Sequence, residues 1–173
     1  MFHSILTAQF PKMLGNLSSL LEIAEKHASE KKFEVEVLLN ARLAPDQFHF
    51  IRQVQIACDT AKLGAARLAG KEKDAPSFPD TEVSVAELQS RIASTIDFLK
   101  SISAADLSDA SGRRISQPRW AGKTLSGAEF FEQHVIPNFY FHVTTAYAIL
   151  RHNGVAIGKK DYLGPMPFQE AKT

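Results

Sequence analysis

Cysteine is nearly missing: Cys58 stands alone in 173 residues. An internal disulfide framework is therefore excluded, and a reducing compartment is compatible with the chain. Neither sign of charge dominates, since 20 basic residues face 19 acidic ones for a net charge of +1. That balance gives no general pull toward nucleic acid or an anionic membrane. The basic residues Arg113, Arg114, Lys159 and Lys160 are too few to form a nucleic-acid-binding stripe. No apolar run approaches the roughly 20 residues that span a bilayer. The opening stretch MFHSILTAQFPKMLGNL has neither a basic n-region nor a small-residue cleavage site, so it does not read as a signal peptide. The expectation is a cytoplasmic protein with no membrane or nucleic-acid partner. A P-loop, a GxGxxG fingerprint, a CxxC pair and a Ser-His-Asp arrangement are likewise missing.

What the chain does have is an ordinary globular mix, 45% hydrophobic and 23% charged. Its length suits one domain, expected over residues 1–173. Helical periodicity dominates. Residues 2–28 repeat apolar side chains at steps of three and four, interrupted by Pro11, which should kink or break the helix. A short helix is expected over 33–39, with Phe33, Val37 and Leu38 inward. A second long helix should begin near Pro45 and Asp46, where a missing donor costs little and a carboxylate meets the positive end of the dipole. Its stripe is Ile51, Val54, Cys58, Ala61, Ala65 and Leu68, and Gly70 stops it. Ser84 with Glu87 opens a third helix to about residue 102, and Ser126 with Glu129 opens a fourth to about 153. Residues 103–125 are irregular, with a small hairpin between 113–120 and 123–125. The tail from Val155 should pack back along the surface. The fold class is all-α, an up-down-type four-helix bundle with a short extra helix and an irregular or hairpin segment before the last helix.

The last helix carries the functional signal. On a wheel of about 100° per residue, with His134 at the origin, Asn138 falls near 40° and His142 near 80°. Phe131, Phe141, Thr145 and Ile149 share that sector. Two imidazoles and an amide thus run along a largely apolar face. A buried polar group needs a partner or a ligand, because leaving it unpaired costs about 1–3 kcal/mol. Tyr140, Val143 and Tyr147 lie off this face and form an aromatic patch expected to be covered by a second copy, giving a homodimer.

Three stretches together carry a resemblance: LLNARLAPDQF (38–48), RQVQIACDTAK with ARLAG (52–62 and 66–70), and PNFYFHVTTAYAILRHNGVAIGKKDYLG (137–164). The chain resembles a bacterial domain-of-unknown-function family within the DinB-like bundle superfamily, over nearly its whole length. The resemblance implies a four-helix bundle and frequent homodimers. Better-studied members of that superfamily hold a metal with one His on the second helix and an HxxxH pair on the fourth, and several are thiol-dependent transferases or isomerases.

The chain departs from that pattern. His134 and His142 are eight residues apart, about 12 Å along the axis, so they cannot share one ion. Asn138 stands between them, and an amide oxygen is a weak ligand for zinc or nickel. On the second helix the expected His position falls near Gln55, with Asp59 one turn on. No metal ligand set and no confident cofactor follow; a divalent metal is the cofactor the resemblance allows. The candidate site is His142 as general base or sole imidazole ligand, with Asp59 and Asn138 beside it. Gln55 and Arg42 are the candidate ligand-binding residues, Arg42 either clamping an anion or pairing with Asp46. Asn138 and His142 are expected to meet Asp59 or Gln55 across the seam between the second and fourth helices. Phe48, Phe131 and Phe141 would wall a small-molecule cleft there. The alternatives are a non-catalytic homodimeric binding module, whose polar groups serve fold specificity, and a metal-dependent thiol-transferase-like enzyme.

Overall fold

Pro11 and Pro137 each follow a widened helical turn, and the two turns set the shape of the bundle's first and last helices. The structure, a computed structural model, describes residues 2–170. Helix α1 covers residues 2–31, opening as Phe2–Ser4, passing through a π turn at Ile5–Gln9 and continuing as Phe10–Lys31. The Phe10 N–H reaches back five residues to the Ile5 carbonyl. Proline brings no N–H and its ring crowds the carbonyl four residues back; the wider turn absorbs this without breaking the helix. The expected kink or break at Pro11 is therefore a π turn just before it. Helix α4, residues 127–152, repeats the device: Gly127–Phe130, a π turn at Phe131–Val135, then Ile136–His152, with the Ile136 N–H on the Phe131 carbonyl.

Between them lie α2, Phe50–Ala69, and α3, Val85–Ser101. Both expected capping boxes are present, Ser84 with Glu87 and Ser126 with Glu129. Gly70 ends α2 in the left-handed region at φ 67°. Two expectations fail locally. Helix α2 begins at Phe50, not near Asp46, because the Phe50 N–H is taken by the Ala41 carbonyl at 3.0 Å and residues 44–47 close a tight turn. The short helix is Glu36–Leu39, and it buries Leu38 and Leu39 while Val37 is 62% exposed.

Named pairs fix the topology. Phe2 meets Phe131 and Phe10 stacks on Phe139, so α1 and α4 run parallel. Gln53–His142 and Thr60–Asn138 run in opposite senses, so α2 and α4 are antiparallel. Gln55–Arg91 and Lys71–Asp106 advance together, so α2 and α3 run the same way. The chain is an all-α, DinB-like up-down four-helix bundle whose two middle helices point alike, joined by a crossover that travels back along the bundle. A two-residue hairpin, β1 (Arg114–Ile115) with antiparallel β2 (Leu125–Ser126), precedes α4.

The core is made by the expected stripes. Leu17, Val54, Cys58, Leu88, Ile92, Phe131 and Ile149 are all buried. On α4 Phe139, Val143 and Ala146 are buried, Phe139 against Phe10 of α1, and Phe141 is left 56% exposed. The aromatic patch expected to need a second copy is closed from within. Val143 is buried, Tyr140 packs on Phe10, and Tyr147 meets Tyr162 of the short helix Lys159–Leu163 at 5.7 Å. That tail helix is pinned to α1, where Asn16 donates to the Tyr162 carbonyl at 2.9 Å. Residues 171–173 of the expected tail lie outside the described residues. Among the described residues no helix is long and apolar enough to cross a membrane.

Candidate functional site

The seam between α2 and α4 is where the polar face of the last helix finds its partners. Asn138 donates to the Thr60 hydroxyl at 2.8 Å, and His142 Nδ1 lies 2.7 Å from the Gln53 side-chain oxygen. The Gln53 amide nitrogen donates to the Phe48 carbonyl at 2.9 Å. Its oxygen must therefore accept, which makes His142 the Nδ1–H tautomer. So the expected partners, Asp59 and Gln55, are replaced by Thr60 and Gln53. The reason is rotational: Gln55 turns to Arg52 and Glu82, and Asp59, at the edge of the seam, gives its Oδ1 to Arg91 of α3.

There they join a second polar cluster. The Arg91 side chain is 1% exposed. It donates to Asp59 Oδ1 at 2.9 Å, Asp80 Oδ1 at 2.6 Å and Glu82 Oε1 at 2.9 Å. Lys62 also reaches Asp59 Oδ1, at 3.0 Å, and Arg52 reaches Asp80 at 2.6 Å. Gln55 spans Arg52 and Glu82. Burial opposes the charge on Asp80 and Glu82, but the bonds from Arg91, with Arg52 on Asp80, outweigh it and hold both carboxyls below their usual range. Phe78 lies over both cations, 4.5 Å from the Arg91 guanidinium and 4.2 Å from Lys62. This cluster clamps the crossover onto α2 and α3.

Beside the Asn138–Thr60 bond a cavity of about 310 Å³ opens between α2 and α4, with the Gln117–Arg119 segment as its third wall. Ile56, Leu63, Phe130 and Val135 supply apolar lining; Asp59, Thr60, Arg67, Arg119, His134 and Asn138 supply polar groups. The helices approach closely at its edge: a Cβ on Gly64 would lie 2.7 Å from a Val135 methyl. The π turn at Phe131–Val135 carries His134 and Val135 into the lining. Arg119 lies 3.2 Å from His134 Nε2 and can only donate, so this ring is also an Nδ1–H tautomer. Trp120 and Phe130 frame the imidazole edge-on and tilted, at 5.6 and 5.5 Å. Burial first, then the Arg119 and Arg67 charges, push the His134 pKa below its ordinary value. Burial, with Arg52 adding, pushes His142 down to about 4. Both rings are neutral at pH 7.

A family profile described as "Domain of unknown function (DUF1993)" matches residues 2–163. The chain belongs to the DUF1993 family. A crystal structure of a DinB family member protein from Shewanella denitrificans superposes with a TM-score of 0.95 at 56% identity, covering 99% of this chain and 96% of that one. No curated protein matches the chain. The resemblance read from the sequence is thus shown, both for the family and for the DinB-like fold.

The metal of the superfamily does not fit this DUF1993 chain. Among the described residues no three His, Cys, Asp or Glu side chains come together to hold an ion. Of the three expected positions two hold amides, Gln55 and Asn138, which leaves one imidazole on the last helix, and Asp59 is already held by two cations. Of the expected site residues, the structure brings Asp59 and Asn138 to the cavity. His142, Gln55 and Arg42 are not in its lining, and Arg42 bonds the Pro45 carbonyl at 3.2 Å in place of Asp46. Phe48 and Phe141, expected as walls, are each 56% exposed and do not line it. His134, Arg67 and Arg119 were not foreseen as a group. The four-residue step from His134 to Asn138 was the available signal for the first, while Arg119 sits in a segment with no periodicity to place it.

Proposed function

We propose that this DUF1993 protein is a small-molecule-binding bundle without a catalytic metal, its ligand seated between α2 and α4 on a floor of Asn138, Thr60 and Asp59. The observation that carries this reading is the cavity of about 310 Å³, at the lower edge of the roughly 300–1,000 Å³ usual for ligand sites. If chemistry follows binding, His134 is the imidazole placed for it: it lines the cavity, is neutral and is oriented by Arg119. His142 then serves as a positioning residue through the α2–α4 seam. A fragment screen by NMR on isotope-labelled protein tests the reading. Fragments should perturb Thr60, Gly64, His134 and Asn138 together, and Leu63→Trp, which fills the space, should abolish those shifts. Fragments clustering elsewhere, or unaffected by Leu63→Trp, would overturn it.

A second reading, a non-catalytic module that pairs with another copy, takes its support from Phe48 and Phe141, both 56% exposed at the His142 end of the seam. Sedimentation of wild type against Phe141→Ser tests it: a dimer lost in the variant supports it, and a monomer at high concentration refutes it.

A further inference from the structure

The charges around the cavity do not balance, and the imbalance has one sign. Its ionisable lining is Asp59, Arg67, Arg119 and His134. His134 is neutral. The Asp59 carboxylate is answered twice over, by Arg91 at 2.9 Å and Lys62 at 3.0 Å on the same oxygen. Neither arginine is answered inside the cavity. Arg67, whose side chain is 15% exposed, meets Glu72 only through Nε at 3.4 Å. Among the described residues its two terminal nitrogens make no hydrogen bond, and Nε itself is left without one of good geometry. Arg119 makes its one side-chain bond to a ring nitrogen, not to a carboxylate. Two guanidiniums therefore border one small space, and the terminal N–H groups of Arg67, with those of Arg119 not spent on His134, are available to an oxyanion. Both arginines also act on His134, where their charges add to burial in lowering its pKa.

Resting on the reading above, we propose that the cavity takes a small organic anion. Its carboxylate or phosphoryl head sits between Arg67 and Arg119, and its apolar body lies along Ile56, Leu63 and Phe130. A planar oxyanion suits the guanidinium fork, since two parallel N–H bonds can form at once. The lining away from the arginines is apolar, which favours an organic acid over a bare inorganic ion. Thr60 and Asn138 remain at the floor to bond a neutral polar group of the ligand. Asp59 lies there too, and its prior pairing with Arg91 and Lys62 is what lets an anion share the space.

The chain's single tryptophan, Trp120, provides the readout, because its ring stands 5.6 Å from His134 and 6.1 Å from Phe130. Benzoate, phenyl phosphate, neutral benzamide and inorganic phosphate are titrated while Trp120 emission and the NMR signals of Thr60 and Asn138 are followed. Benzoate or phenyl phosphate should saturate both readouts, at least tenfold more tightly than benzamide. Arg67→Gln and Arg119→Gln should each weaken that binding at least tenfold, with the helical circular-dichroism signal unchanged. Arg119 is exposed on the loop before α4, so Arg119→Gln carries the test even if Arg67→Gln fails to fold. Which of the two acids binds more tightly distinguishes a carboxylate from a phosphoryl head. Benzamide binding as tightly as the acids at the same residues would leave the cavity reading intact and overturn the anion. Inorganic phosphate matching phenyl phosphate would overturn the apolar body. Silence of Thr60 and Asn138 to every probe would overturn both readings.

Discussion

His142 Nδ1–H donates to the Gln53 side-chain oxygen at 2.7 Å, and the Gln53 amide N–H donates to the Phe48 carbonyl, closing the gap between α4 and the start of α2. One side chain thereby satisfies two groups that would otherwise stay unpaired at the end of the seam. Replacing His142 with Ala leaves the Gln53 oxygen with nothing to accept. A loss of about 1–3 kcal/mol in denaturant unfolding is expected, with the Asn138 end of the seam unchanged by NMR.

The same ring makes stability depend on pH. Its pKa is about 4 folded against 6.5 ordinarily, so between those values the unfolded chain binds a proton that the folded chain does not. Stability should therefore fall as pH drops from about 6.5 toward 4 and then stop responding to this group, a loss of up to roughly 3 kcal/mol. His134 and His49 are shifted the same way and add to the slope. The difference between wild type and His142→Gln isolates this ring; identical pH profiles for the two would refute the assignment.

Arg91→Leu removes the cation that Asp59, Asp80 and Glu82 share. The expected cost is about 3 kcal/mol, since Glu82 is left without its cation in a partly buried site while Asp59 keeps Lys62 and Asp80 keeps Arg52. Asp80 and Glu82 are held below their ordinary 3.8 and 4.5, so the stability they contribute is present at neutral pH and lost as acid titrates them. The deficit of the variant should narrow below about pH 4, where protonation removes the unpaired charge. A deficit constant across pH would show that the cluster contributes through packing alone.

Gly64→Ala sets two effects against each other. Alanine favours a helix by about 1 kcal/mol over glycine. Its Cβ, however, would sit 2.7 Å from one methyl of buried Val135 and 3.1 Å from the other, and overpacking of that kind costs about 1–3 kcal/mol. Val135 is β-branched and cannot swing aside. A net loss is expected, smaller in a Val135→Ala background where the space exists. Equal effects in both backgrounds would show that the helices separate freely.

Elemental analysis of protein purified without a His tag should find zinc and nickel well below one per chain. Two of the superfamily's three ligand positions hold amides, and the nearby carboxylate is paired. A stoichiometric ion would overturn the fit argument.

The helices, both capping boxes and the hairpin were legible because each rests on local rules: spacing of apolar residues, Ser followed by Glu at the third position, Gly and Pro as punctuation. Asn138 was singled out from its place on a wheel and Asp59 from its place one turn after Gln55, where the resemblance expects a His, and both line the cavity. Their partners were not foreseen, because a wheel gives a direction and not the axial register between two helices; Thr60 and Gln53 take the places expected for Asp59 and Gln55. Arg91 was hidden for a related reason. Its burial depends on a crossover that brings Asp80 and Glu82 back over α3, and no pattern within α3 announces it.

The π turn at Phe131–Val135 amounts to one surplus residue in α4, and that surplus works as a phase setting. Wound at regular pitch with that residue kept, the segments before and after it would stand about 100° out of phase, whereas deleting exposed Glu132 should remove the surplus and the wide turn together and keep them in phase. The C-terminal half, anchored by Phe139, Val143 and Ala146, would hold its place. Without the wide turn, and with the residue kept, Phe130 and the hairpin ahead of it would swing, carrying Trp120 and Arg119 away from His134. The wide turn thus lets the two halves of the cavity's wall face each other although the chain between them is one residue too long.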